Sequence, residues 1–416
     1  MIYHKRIKIK GLEYMIQKQR AWAEVDLDAI RNNIREIRRY VDKKTKILGV
    51  VKADAYGHGV FEVSQTLIEN GADALGVAFL DEAIQLRRYG IDKPILILGY
   101  TPPECAKELV QNDIMPSVFH EEVARAVSDE AVRQGKTAKI HIKIDTGMTR
   151  VGFRYHGDEQ TRRQTADIIC RVARLPHIEI DGIFTHFASA DETDSTYTRH
   201  QFELFCDLVQ RIEKAGVMIP TKHVCNSAGT VMFPEMHLDM VRPGIILYGI
   251  SPSEEVDRTK LHLIPAMQLK AEITNLKEVE AGVPVSYGRT YHTARTTKIA
   301  TIPIGYADGF SRLLSNRAEV SVHGQKVPVI GTICMDQCMV DVSSVNTVSV
   351  GDEIILFGSD GSLNIPVEHI ASQMGTIPYE ILCVIGKRIP RVYLHNGKVE
   401  QVLNYLLGDP ITHAQL

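Results

Sequence analysis

Lys52 follows an apolar run, Ile47-Leu48-Gly49-Val50-Val51, and precedes Ala53-Asp54-Ala55-Tyr56-Gly57-His58-Gly59. A lysine at the end of a buried strand loses hydration, which lowers its pKa and yields the free amine that Schiff-base chemistry needs. Taken alone, it is better explained as an ammonium that reaches solvent along its methylene stem. Gly57 and Gly59 shift the balance, because paired glycines around one histidine mark a tight turn or a close backbone approach. A second cluster lies far along the chain in Asn226-Ser227-Ala228-Gly229 and Arg242-Pro243-Gly244-Ile245. Small residues with free backbone N–H groups suit an anion such as phosphate; two ordinary glycine turns would look the same. A third polar segment carries Lys143 and Asp145 and runs on through Thr146-Gly147-Met148-Thr149-Arg150. His186 and His223 have no acidic neighbour at metal-ligand spacing and read as interior histidines. Cys334 and Cys338 read as buried thiols, so no metal is expected. No GxSxG elbow is present for serine hydrolysis.

Positioning these groups requires a repeating scaffold. From Ala21 to about Tyr248 eight short apolar runs alternate with helix-like stretches: Ile47–Val51, Ala74–Phe79, Ile95–Leu98, Ile114–Val118, Lys139–Ile144, Ile178–Phe184, Lys222–Cys225 and Leu238–Val241. Between them, segments such as Val60–Asn70, Glu121–Arg133 and Tyr197–Lys214 repeat apolar residues at helical spacing. This pattern predicts an α/β fold of the (β/α)8 type, whose chemistry sits at the C-terminal strand ends. Lys52, Asp145, His186, Asn226 and Arg242 all fall at such ends. A doubly wound sheet would need GxGxxG after a strand, and Gly57-His58-Gly59 has no third glycine in register. Past Ser251-Pro252-Ser253 the texture becomes short alternating segments broken by Gly and Pro, which predicts a β-rich second domain. The expected division is an N-terminal extension over 1–20, the barrel over 21–252, the β-rich domain over 253–396 and a tail over 397–416.

The chain has 416 residues, 44% of them hydrophobic and 24% charged, enough for two cores. A net charge of −3 argues against nucleic acid as a partner. No apolar run is long enough to cross a bilayer. The first ten residues, MIYHKRIKIK, are basic but lack an apolar signal core. Seven scattered cysteines without CxxC spacing point to reduced thiols and a cytoplasmic location.

Taken in order along the chain, these motifs resemble the alanine racemases. The resemblance is carried by Val51–Gly59, His141–Gly152, Thr185–Ala188, Val241–Gly244, Pro284-Val285-Ser286-Tyr287-Gly288, Gly305-Tyr306-Ala307-Asp308-Gly309, Ile333-Cys334-Met335-Asp336-Gln337 and Pro378-Tyr379-Glu380. It runs from about Trp22 to Val392, across both domains. It implies a pyridoxal 5'-phosphate enzyme that interconverts L- and D-alanine and supplies D-alanine for peptidoglycan. Lys52 would attach the cofactor and serve as one base. Tyr287, from a second subunit of a homodimer with shared sites, would be the other. Tyr56, Ser227, Gly244, Ile245 and Tyr379 would hold the phosphate. Arg242 would meet the pyridine nitrogen, and Arg242, His186 and His223 would form the hydrogen-bonded support that helps Tyr287 act as a base. Arg150 would contact the cofactor's phenolic oxygen and, with the Met335 amide, the substrate carboxylate; Lys143 matches a lysine that is often carbamylated, making an anion that positions Arg150. Thr332 stands where some members carry arginine near the substrate entrance.

Three other readings are weighed against this one. A racemase for serine or larger amino acids would use the same bases, but Tyr306, Tyr379 and Ile377 would crowd a larger side chain. A non-catalytic cofactor carrier would need neither Tyr287 nor the β-rich domain. A decarboxylase of the same architecture fits the Tyr287 segment poorly.

Overall fold

The computed structural model describes residues 20–407. The expectations for the N-terminal extension and for the end of the C-terminal tail lie outside the described residues. Contacts divide the chain into two units, one of Ala29–Tyr56 and Val60–Pro265, the other of Gly57–Gly59, Ala266 onward and the chain up to Asp28.

The first strand, β1 (Ala21–Asp26), is followed by the eight expected barrel strands. These are β2 (Lys46–Val50), β3 (Ala74–Val77), β4 (Ile95–Ile97), β5 (Met115–Val118), β6 (Ala138–Asp145), β7 (Ile178–Phe184), β8 (Thr221–His223) and β9 (Met240–Val241). They run in the order β9-β2-β3-β4-β5-β6-β7-β8, every neighbouring pair parallel. The ladder stops between β8 and β9, where two backbone bonds bridge the gap: Asp239 N to Lys222 O, 3.1 Å, and Arg242 N to Cys225 O, 3.0 Å. Helices cover the strands for local reasons. Thr196–Lys214 buries Leu204, Phe205, Leu208, Val209 and Ile212 along one stripe. Glu121–Gln134 opens on two glutamates and closes on Gly135 in the left-handed region, as the helix dipole and the C-cap favour.

Strand β6 has an uncommon composition. Lys139, His141, Lys143 and Asp145 alternate with Ile140, Ile142 and Ile144, and from His141 onward both sets are buried. Because side chains alternate across a strand, this places His141 and Lys143 in the barrel interior, where polar groups need partners.

The other unit is built on an eleven-stranded sheet. Its strands are β10 (Met267–Glu272), β11 (Asn275–Val279), β12 (Thr297–Ile302), β13 (Glu319–Val322), β14 (Gln325–Ile330), β15 (Cys338–Asp341), β16 (Glu353–Asp360), β17 (Arg391–His395) and β18 (Lys398–Leu403). The path is β11-β12-β15-β14-β13-β16-β10-β1-β17-β18, and Leu363–Ile365 adds to β16. The outer boundaries thus differ from those expected. Ala21–Asp26 joins this sheet instead of the barrel, pairing antiparallel with β10 and parallel with β17. The reason is Trp22, which packs with Val392 and Val402. Residues 398–403, expected as tail, form an edge hairpin with β17.

Candidate active site

Lys52 comes just after β2, and the chain then does something that few L-residues tolerate. Ala53, Asp54, Ala55 and Tyr56 all have φ between 53° and 55°, a left-handed turn that costs roughly 1–2 kcal/mol per residue. Its groups are tied down. Ala53 N donates to Glu82 Oε1 (2.7 Å), Ala55 N to Val51 O (2.9 Å) and Val60 N to Asp54 Oδ1 (2.8 Å). Glu82 also accepts from Ala78 N and Phe79 N, so one carboxylate braces both the turn and the start of the next helix. The turn delivers Tyr56 into the interior, its ring 4.9 Å from that of Tyr248. Tyr248 in turn donates to Val50 O at 2.9 Å, which fixes the end of β2.

Tyr56 arrives at the loops after β8 and β9. Asn226 caps the short helix Ser227–Met232 through Gly229 N, 2.8 Å, and Ser227 Oγ accepts Gly244 N at 2.8 Å. A β-carbon on Gly244 would lie 2.5 Å from Tyr56 Oη. Gly244 sits at φ −122°, ψ −91°, outside the regions that L-residues favour, so here glycine is needed for conformation as well as for space. Tyr56, Ser227, Gly244 and Ile245, distant in sequence, are therefore gathered at one strand-end concavity. Tyr379 lies in the other unit, in the first turn of the helix Pro378–Cys383.

Arg242, 3% exposed, leaves β9 toward the interior. Nη1 donates to His223 Nδ1 (3.0 Å), and Nη2 to Thr185 O (2.8 Å) and Val224 O (3.0 Å), with His186 Nδ1 at 3.4 Å. Its guanidinium lies 5.2 Å from the Phe184 ring centre. Burial lowers its pKa only to about 10, so it keeps its charge at neutral pH. Its Nε makes no hydrogen bond among the described residues. Burial, followed by the Arg242 charge and the charges of nearby groups, holds His223 well below the usual imidazole range. His186 is held low as well, by burial and then by Lys143 and Arg242. Lys143 Nζ sits 4.4 Å from the Phe184 ring centre, without a carboxylate at ion-pair distance among the described residues. Burial, then Arg242 and Arg150, push its pKa well below that of an ordinary lysine. Arg150 stands exposed at the end of a loop whose Gly147 and Thr149 N–H groups both donate to Asp145 Oδ1.

The remaining candidates belong to the sheet unit. Tyr287 opens a distorted turn in which Ser286 (φ 64°) and Arg289 (φ 50°) are left-handed. Thr332 braces this turn by donating to Tyr287 O at 2.8 Å and accepting from Ser286 Oγ at 2.6 Å. Tyr287 is 66% exposed and Met335 52%. Tyr306 and Ala307 donate their N–H groups to Cys334 O and Met335 O, which joins the Tyr306 and Met335 loops.

Two family models match the chain, "Alanine racemase, N-terminal domain" over residues 25–252 and "Alanine racemase, C-terminal domain" over 266–393. The chain belongs to the alanine racemase family. An alanine racemase of Methanococcus maripaludis is 49% identical over 374 residues, 90% of this chain and 98% of that one. A Clostridium difficile alanine racemase in complex with cycloserine superposes with a TM-score of 0.87 at 42% identity, covering 94% of this chain and 99% of that one. A Bartonella henselae alanine racemase with covalently bound pyridoxal phosphate gives 0.79 at 29% identity, covering 90% and 100%.

The barrel residues fit that cofactor. The concavity where a Gly244 side chain would collide with Tyr56 offers amides and hydroxyls to a phosphate. Ser227, whose oxygen already accepts from Gly244 N, keeps its proton to donate. Arg242 Nε, which makes no hydrogen bond among the described residues and is not a fully buried atom, is a donor left for a ring acceptor. Sequence reading met His141 and Thr185 only as members of longer motifs, without a role of their own, and missed Asp181 and Phe184, which lie with them around Arg242 and its histidines. The available signal was Gly182, a glycine inside a buried strand with no turn to explain it.

Proposed function

We infer that this protein is a pyridoxal 5'-phosphate-dependent alanine racemase that supplies D-alanine for peptidoglycan. The observation that carries the reading is the left-handed turn after Lys52, which brings Tyr56 to the Ser227–Gly244 concavity. Bound pyridoxal phosphate supplies the electron sink that makes the substrate's α-proton acidic. Tyr56, Ser227, Gly244, Ile245 and Tyr379 bind the phosphate. Lys52 would attach the cofactor and would hold or return the α-proton on one face of the substrate's α-carbon. Tyr287 does the same on the opposite face, its hydroxyl supplied by the second chain of a homodimer. Arg242 would donate to the ring nitrogen and, since it does not surrender its proton, would favour that nitrogen unprotonated. Arg150 and the Met335 amide hold the substrate carboxylate. Burial and the Arg242 and Arg150 charges favour the neutral amine of Lys143, the form that adds carbon dioxide with loss of one proton to solvent, and the resulting carbamate would present an anion to Arg150. Tyr306, Tyr379 and Ile377 restrict the side-chain space to a methyl group. Seven free cysteines suit a reducing cytoplasm.

The test is chiral analysis of purified, cofactor-supplemented protein incubated with L-alanine. D-alanine should accumulate to an equal mixture, and Lys52→Ala should make none. A wild-type protein that forms no D-alanine refutes the assignment.

A further inference from the structure

Arg242 and His223 continue into a longer chain of groups. His223 Nε2 lies 2.9 Å from His141 Nδ1, and His141 Nε2 lies 3.5 Å from Asp181 Oδ2, an ion-pair distance. Asp181 is also met by Lys139 Nζ at 3.1 Å, which in turn reaches Glu179 at 3.4 Å. The row spans the barrel from the mouth at Arg242 to the opposite strand ends at Lys139.

Its geometry is built by one local irregularity. Along β6 and β7 the register runs Ile140 opposite Ile180 and then His141 opposite Gly182. Asp181 is thus the extra residue of a β-bulge, a device that re-aims a side chain. The next residue lacks a side chain for a reason, since a β-carbon on Gly182 would sit 2.3 Å from His141 Nδ1. Bulge, glycine and carboxylate together fit the His141 ring between Asp181 and His223.

Donor logic then gives the row one polarity. Arginine has only donors and an ionised carboxylate only acceptors. Arg242 forces His223 Nδ1 to accept, so the neutral ring carries its proton on Nε2 and donates to His141 Nδ1. His141 must then carry its proton on Nε2, facing Asp181. A second proton on either ring would set N–H against N–H. Burial favours this neutral pair, holding both imidazoles below their usual range, while the His141 ring, at 3.5 Å and outside hydrogen-bond geometry, and Lys139 favour the Asp181 carboxylate.

We propose that His141 and Asp181 are positioning residues for the racemase, fixing His223 in the one tautomer that can accept Arg242's hydrogen bond and so orienting Arg242 at the cofactor ring. The proposal rests on the placement of Arg242 in the proposed function.

Two replacements of His141 separate this role from packing. In His141→Gln the amide oxygen can accept from His223 and the amide nitrogen can donate to Asp181, which preserves the polarity. His141→Phe keeps the ring shape and loses the acceptor. Loss of an outer partner of this kind typically costs roughly 10–100-fold in activity. The Phe variant should therefore lose at least roughly 10-fold more kcat than the Gln variant, with KM for alanine little changed. A packing role predicts the reverse order. Asp181→Asn, on a partly exposed side chain, is the second arm: an amide can donate or accept, so the obligatory polarity is lost without a change of shape. Solid-state 15N NMR of histidine-labelled, cofactor-loaded protein reads the tautomer directly. His223 should be Nε2-protonated in the wild type and mixed in Asp181→Asn. A cationic or Nδ1-protonated wild-type His223, or a Phe variant as active as the Gln variant, overturns the proposal. Wild-type protein without racemase activity but with the expected tautomer would instead refute the functional assignment.

Discussion

Arg242 in the barrel is 3% exposed and bonds to two carbonyls and two imidazoles, whereas Tyr287 in the sheet unit is 66% exposed and its hydroxyl makes no hydrogen bond among the described residues. The same contrast holds more widely. Lys143, Ser227, His223 and Tyr56 are buried, while Tyr306, Met335 and Ile377 are largely open. A cofactor with fixed charges is best served by groups whose orientation is settled beforehand. The barrel's half of these candidate groups is finished within its own fold, whereas Tyr287 and Met335 of the sheet unit are exposed.

The sharpest way to break this contrast is at Tyr287. Tyr287→Phe should lower racemisation by about 10²–10⁴-fold, the usual effect of losing a proton-transfer base, with cofactor still bound as judged by its absorbance. Mixed with Lys52→Ala and allowed to exchange subunits, it should regain activity in heterodimers. Verified exchange without recovery would mean that each site is completed by its own chain.

Gly244→Ala tests the finished half. The β-carbon would push Tyr56 Oη out of the concavity, and crowding of this kind costs about 1–3 kcal/mol. Cofactor affinity should fall by roughly 10-fold, read by titration, and Tm should fall as well, because the crowding and the ψ of −91° both oppose alanine. Unchanged affinity would remove Tyr56 and Gly244 from the phosphate site.

A smaller effect concerns pH. His141, His186 and His223 are held below the imidazole range in the fold, so below about pH 6.5 the unfolded chain binds protons that the native one refuses. Stability is then lost as pH falls, by up to about 1.4 kcal/mol per unit for each such histidine. His141→Gln should make Tm fall less steeply between pH 6.5 and 5. An identical slope would mean that His141 titrates normally in the fold.

The barrel was legible because its strands are near-continuous apolar runs, a pattern that buried parallel strands share. The C-terminal positions of Lys52, Asp145, His186, Asn226 and Arg242 followed from that alone. Other features left weaker traces. Ala21–Asp26 reads like any edge of the barrel pattern, and only pairing with Met267–Glu272 and Arg391–His395, remote in sequence, assigns it to the other sheet. The left-handed turn has no sequence signature, because Ala53 and Ala55 are ordinary helix formers that tertiary contacts override. The role of Asp181 depends on a one-residue slip of register, which side-chain alternation cannot reveal until both strands are paired.

That reversed turn carries a stereochemical consequence. Ala53 is exposed and sits at φ 53°, ψ 49°, values near the helical minimum of a D-residue, whose preferences mirror those of an L-residue. A semisynthetic chain with D-alanine at position 53 would relieve about 1–2 kcal/mol of backbone strain there. The segment that presents Lys52 is thus held in a shape natural to the enantiomer the enzyme makes.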